Sequence, residues 1–171
     1  NSRFNKDKPY YNLGNIFRAL GNFKKSIDFY KKAIDINPNS VEAYINLSIS
    51  LNENGNLKEA IDFCEKAIEK DPKNVAALNN LGKYNQEIGN EDFSIVYYKK
   101  ALEYKPTYLR SRWLLMNTFP IIYKNFEQIN YYKKHFEKNL KTIENLLNEN
   151  SNFDNKEILD ALGSITNFYL H

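Results

Sequence analysis

Apolar residues in this chain recur at steps of three and four, the spacing that places them on one face of a helix, and strict alternation of the kind a strand needs is absent. The helical segments themselves repeat. Pro38, Pro72 and Pro106 stand 34 residues apart, and each follows a segment ending in Ala33-Ile34, Ala67-Ile68 or Ala101-Leu102. A fixed period of this length sets the architecture before any local assignment does. It divides the chain into three frames, residues 7–40, 41–74 and 75–108. The pattern predicts an all-α chain with six helices in three antiparallel hairpins between residues 7 and 106.

Within the frames, small residues mark close helix contacts. Position 8 is Gly14, Ser48 and Gly82, position 20 is Ser26, Ala60 and Ser94, and position 27 is Ala33, Ala67 and Ala101. Glycine at position 15 (Gly21, Gly55, Gly89) supplies the permissive backbone a helix terminus needs. Asparagine comes next at position 16 (Asn22, Asn56, Asn90), and is expected there because it tolerates a left-handed backbone. Proline at position 32 closes each second helix, since its ring cannot continue the hydrogen-bond ladder. Phe29, Tyr30, Phe63, Tyr97 and Tyr98 are expected to be packing residues.

The spacing, with Tyr10, Leu13, Gly14, Phe17, Tyr30, Ala33 and Pro38 in the first copy, resembles the tetratricopeptide repeat over residues 7–108. Two positions depart from it: Cys64 occupies an aromatic position, and Asn85 stands where Phe17 and Leu51 do. The resemblance implies a helical-hairpin solenoid in which hairpins stack into a superhelix, with first helices lining a concave groove. It implies a protein-protein interaction module that holds a protein or extended peptide there.

Position 6 of the first helices is asparagine in every copy: Asn12, Asn46 and Asn80. Asparagine is abundant throughout the chain, which supplies a purely compositional explanation. Yet this position is mid-helix, where asparagine is a poor helix former, and an amide offers a donor and an acceptor to a peptide backbone. The row resembles the asparagine ladder of O-linked N-acetylglucosamine transferases. Asn15, Asn52, Lys83 and Gln86 are neighbouring groove positions expected to tune selectivity. The family's carboxylate clamp for acidic C-terminal tails needs cations where this chain has Tyr11, Ala76 and Asn80.

Residues 109–171 depart from the repeat. A degenerate fourth copy is expected as a helix from Tyr108 to Phe119 that breaks at Pro120. Asn125 and Gln128 resemble a capping box for a long amphipathic helix at about 125–148, with Ile129, Tyr132, Phe136, Leu140, Ile143 and Leu147 in one stripe. That stripe is expected to cover the exposed end of the last repeat. A polar loop at 149–155 and a final helix at about 156–166 complete the reading. The segment from Leu115 to Tyr123, Phe136 to Leu140, and Phe168-Tyr169-Leu170 resemble the stretch after the repeats in SPINDLY-like and O-linked N-acetylglucosamine transferase-like proteins. That resemblance implies a substrate-recruiting region whose transfer chemistry lies after His171. Self-association through repeat ends is a third reading.

Composition narrows the chemistry. The 24 basic and 21 acidic residues give a net charge of +3 and are interspersed, so neither a nucleic-acid partner nor a polybasic membrane anchor is expected. Lysine pairs such as Lys31-Lys32 and Lys99-Lys100 are interrupted by acidic residues. No apolar run approaches the roughly 20 residues of a membrane span. Cys64 is the single cysteine, which excludes an intramolecular disulfide and fits a reducing, cytoplasmic compartment. With only Cys64, His135 and His171 as soft or imidazole ligands, no metal site or cofactor is expected, and no residue is assigned a catalytic role.

Overall fold

The computed structural model of the chain describes residues 6–118 and 125–149. Among them are eight helices and no strand: α1 Lys8–Ala19, α2 Phe23–Ile36, α3 Val41–Glu53, α4 Leu57–Lys70, α5 Val75–Glu87, α6 Glu91–Tyr104, α7 Leu109–Met116 and α8 Phe126–Glu149. The first six are the helices expected between residues 7 and 106, and α1 packs on α2 and α3 on α4 as the first two expected hairpins. The chain divides into two compact units between Tyr84 and Asn85, within α5.

One turn recurs in every hairpin. Gly21, Gly55 and Gly89 have φ of 72°, 84° and 79°, a left-handed backbone that glycine enters without the Cβ penalty. The next residue's N–H reaches back to the preceding helix, from Asn22 to the Phe17 carbonyl, Asn56 to Leu51 and Asn90 to Asn85, each at 2.8 Å. The glycine N–H closes the inner bond of the same motif, as in Gly21 to the Arg18 carbonyl at 3.0 Å. The expected reason for asparagine at position 16 is therefore corrected. Asn22, Asn56 and Asn90 have φ of −87°, −95° and −97°, so the glycine alone takes the left-handed turn and the asparagine starts the next helix. Asn22 does so with its side chain, which accepts the Lys25 N–H at 3.2 Å.

In the unit ending at Tyr84, the core lies where second helices meet first helices. Tyr30, Ala33, Ala60, Cys64 and Ala67 are fully buried. α2 packs on both α1 and α3, and the Ser26 and Ser50 hydroxyls bond across the α2–α3 contact at 2.8 Å. The glycine at position 8 permits a close approach in the first copy: a Cβ on Gly14 would stand 2.5 Å from the Tyr30 ring. Cys64 in place of an aromatic is explained by the same geometry. The second copy has Ser48 where the first has Gly14, and a smaller side chain opposite makes room for it.

α1 differs from its counterparts in one respect. Leu13 is 37% exposed, whereas Leu47 and Leu81 at the same repeat position are 0% and 1% exposed. Among the described residues no second helix precedes α1, so the face that α3 buries against α2 is open there.

In the unit beginning at Asn85, Tyr98 and Ala101 of α6 are fully buried and α7 packs on α6. α7 is shorter than the expected Tyr108–Phe119 helix: Asn117 caps it and donates from its side chain to the Trp113 carbonyl at 2.8 Å. Asn125 accepts the Gln128 N–H at 2.8 Å, which supplies half of the expected capping box, and α8 begins one residue later than expected. α8 packs on α7. Of its apolar stripe only Ile143 is buried, while Ile129, Leu140 and Leu147 are exposed, so the expected covering role is met only in part. Pro120 to Tyr123, the polar loop beyond Glu149, the final helix at 156–166 and Phe168-Tyr169-Leu170 lie outside the described residues.

A substitution at the turn isolates its backbone contribution. A Cβ on Gly55 would meet nothing, so Gly55→Ala tests the left-handed backbone alone. It should lower stability in urea by about 1–2 kcal/mol, without altering helix content by circular dichroism.

Candidate functional site

The first helices of the unit ending at Tyr84 bring most of the expected groove residues onto α1, α3 and α5, but in unequal states. Asn12 is exposed, Asn46 is half-buried and Asn80 is 4% exposed. Asn46 is covered in part by Tyr11 and Asn15 of α1, to which its amide donates. Asn52 and Lys83 are half-buried on α3 and α5. Gln86 belongs to the other unit, where its amide donates to the Asn117 carbonyl at 3.3 Å and accepts from the Tyr98 hydroxyl at 3.4 Å.

Asn15 and Asn46 sit at the centre of a connected polar cluster. The Tyr30 hydroxyl donates to Asn15 Oδ1 at 2.7 Å. Asn46 Nδ2 donates to the same oxygen at 3.2 Å and to the Tyr11 hydroxyl oxygen at 2.8 Å. Tyr11 and Tyr30 also touch ring to ring, with centroids 5.9 Å apart. The cluster joins α1, α2 and α3, so it ties the first copy to the second. Burial pushes the Tyr30 phenol above its usual range, and the Arg18 guanidinium beside its oxygen partly offsets that shift.

Sequence reasoning passed over Tyr11 as a binding residue because it entered only as the missing cation of a carboxylate clamp. The signal available was its position one residue before Asn12, on the same exposed turn of α1.

The remaining candidate groups are occupied by packing. Cys64 is fully buried, and its thiol donates to the Ala77 carbonyl at 3.3 Å. Burial pushes its pKa from an ordinary 9.0 up to about 12. Lysines of the second helices lie over aromatic rings: Lys25 over Phe17 at 5.1 Å, Lys32 over Phe29 at 5.4 Å and Lys66 over Phe63 at 4.6 Å. Among the described residues no three His, Cys, Asp or Glu side chains converge as metal ligands, and no helix is long and apolar enough to cross a membrane.

Comparison with known proteins agrees with this geometry. Tetratricopeptide-repeat sequence models match residues 8–40, 29–62 and 63–92. The chain is a tetratricopeptide-repeat protein.

Solved structures share the repeat fold. A crystal structure of MamA superposes with a TM-score of 0.70 at 24% identity, covering 82% of this chain and 80% of that one. The first repeat domain of Spaghetti (RPAP3), bound to the HSP90 peptide SRMEEVD, superposes with a TM-score of 0.58 at 19% identity, covering 78% and 92%. An O-GlcNAc transferase mutant from Thermobaculum terrenum gives 0.63 at 23% identity over 68% of this chain, and the match spans 22% of that enzyme. No curated protein sequence matches the chain. A tetratricopeptide-repeat domain is a non-catalytic protein-protein interaction module, and this fold places the chain in that class.

The buried thiol yields a check on repeat packing. Cys64 should resist a thiol reagent at pH 8 in the native chain and react at once in denaturant. Its folded pKa lies above its unfolded one. The unfolded chain therefore releases the proton first, and the thiol's contribution to stability should be complete below about pH 9 and decline as pH rises toward 12. Urea midpoints that do not fall above pH 9 relative to a Cys64→Ala control would contradict this burial.

Proposed function

We propose that the repeats ending at Tyr84 bind an extended peptide, free or as a segment of a partner protein, along the face formed by α1 and α3. The observation that supports this most is the cluster of Tyr11, Asn15 and Asn46. It sets amide and phenol groups side by side on two consecutive first helices, half-buried and without a charged residue among them. Such groups satisfy a backbone without selecting by charge. Asn12 is exposed one residue beyond Tyr11 on α1, and Asn52, Lys83 and Asn80 lie on α3 and α5. The Spaghetti repeats hold a peptide with an acidic end, whereas this face has Tyr11, Ala76 and Asn80 where a carboxylate clamp needs cations. A neutral backbone-reading mode fits these residues better.

Two other readings rest on particular observations. The asparagine row supports a repeat region that recruits substrates for an O-linked N-acetylglucosamine transferase-like activity located beyond His171, and a longer reading frame is its test. The open α1 face, with Leu13, Ile16 and Leu20 all exposed, supports self-association through a repeat end. Sedimentation of Leu13→Glu against the parent chain distinguishes that case.

For the leading reading, 12-residue peptides displayed on phage should be enriched on the immobilised chain. Asn12→Ala with Asn46→Ala should then weaken the selected peptides about 25-fold, the scale of two lost hydrogen bonds. Affinity that survives both substitutions would place binding elsewhere.

A further inference from the structure

The donor and acceptor inventory of the Tyr11–Asn46–Asn15–Tyr30 cluster fixes which of its groups remain for a ligand. An amide nitrogen carries two hydrogens and cannot accept, and an amide oxygen can only accept. Both Asn46 Nδ2 hydrogens are used, one on the Tyr11 oxygen at 2.8 Å and one on Asn15 Oδ1 at 3.2 Å. Asn15 Oδ1 takes a second bond from the Tyr30 hydroxyl at 2.7 Å. Because that amide oxygen can only accept, the Tyr30 hydrogen is the one given to it. The polarity of the chain of bonds is thereby set from the buried end outward.

Two complementary groups are left next to each other. Tyr11 accepts from Asn46, so its own O–H hydrogen points elsewhere, and among the described residues nothing takes it. Asn46 has spent its donors, so its Oδ1 is an acceptor alone. Tyr11 and Asn46 are both half-buried, so part of each still faces solvent.

We infer that Tyr11 O–H and Asn46 Oδ1 form a paired reading head for one residue of an extended peptide, the hydroxyl donating to its carbonyl and the amide oxygen accepting its N–H. In an extended strand the N–H and C=O of one residue point to the same edge, which is how a neighbouring strand exchanges both bonds with it. A side-chain phenol and amide on two helices here stand in for that strand edge. The ligand class is a backbone with a free N–H at the contacted residue. Proline is excluded there because it has none.

This inference rests on the peptide-binding reading, and the test separates the two. Phage-displayed 12-residue peptides are selected on the parent chain, and several of unrelated sequence are measured by fluorescence anisotropy against the parent and against Tyr11→Phe. The expected result is a loss of about five-fold for every peptide alike, the scale of one hydrogen bond, with helix content by circular dichroism unchanged and the thermal midpoint of the free chain lowered only slightly, by loss of the Asn46–Tyr11 bond. Proline at one position of each peptide removes the N–H that Asn46 Oδ1 accepts, so it should cost the parent about as much and should cost Tyr11→Phe a similar further loss. Enrichment followed by Tyr11→Phe affinities equal to the parent's, or by losses that differ from peptide to peptide, overturns the reading head while leaving peptide binding intact. No enrichment over a blank surface overturns peptide binding itself and the reading head with it.

Discussion

The approach of Tyr30 to Gly14 is the contact on which the polar face depends. Because Gly14 has no Cβ, the Tyr30 ring lies against α1, and no side chain could be added there without meeting it at 2.5 Å. That position carries the hydroxyl across to Asn15, whose oxygen then draws in the Asn46 amide, and Asn46 in turn holds Tyr11. A missing side chain in one helix thus determines which hydrogen-bonding groups of two helices face outward. Burial of the tyrosine is what makes the sequence of bonds rigid, because a buried phenol left without an acceptor costs about 1–3 kcal/mol.

The second copy solves the same packing problem with different residues. Ser48 replaces glycine and Cys64 replaces tyrosine, the thiol finding the Ala77 carbonyl instead of an asparagine. The serine hydroxyl satisfies itself on the Ile45 carbonyl at 2.7 Å. Packing is preserved and the polar relay is not. The Tyr11–Asn46 arrangement is therefore a property of the junction between the first and second copies, and does not simply recur with the period.

Much of this was legible in the sequence. The proline spacing and the small residues at positions 8, 20 and 27 pointed to all six hairpin helices, because those residues report backbone geometry and close contacts directly. The glycine turns were legible for the same reason. Asn22, Asn56 and Asn90 were placed correctly and explained wrongly, since a residue that begins a helix and one that bends left-handed share the same composition signal. The state of the asparagine row was not legible. Asn12, Asn46 and Asn80 are identical as letters and differ in exposure through what lies beside each helix, which is a tertiary fact. Nor could spacing show that Tyr11 and Asn46, distant in sequence, share a hydrogen bond. The α8 stripe shows the limit from the other side: its periodicity was right, but an apolar stripe specifies a face to be covered and not how much of it the neighbour reaches.

The dependence of the polar face on helix approach is measured most directly by a double-mutant cycle on urea stability between Gly14→Ala and Tyr30→Cys, the latter borrowed from the second copy. With Tyr30 present, Gly14→Ala should destabilise by about 1–3 kcal/mol through overpacking. With cysteine at position 30 the same change should be neutral or stabilising by up to about 1 kcal/mol, the helix-propensity gain of alanine over glycine. An equal effect of Gly14→Ala in both backgrounds would mean that the glycine does not govern the approach of the two helices, and would contradict the dependence of the polar face on it.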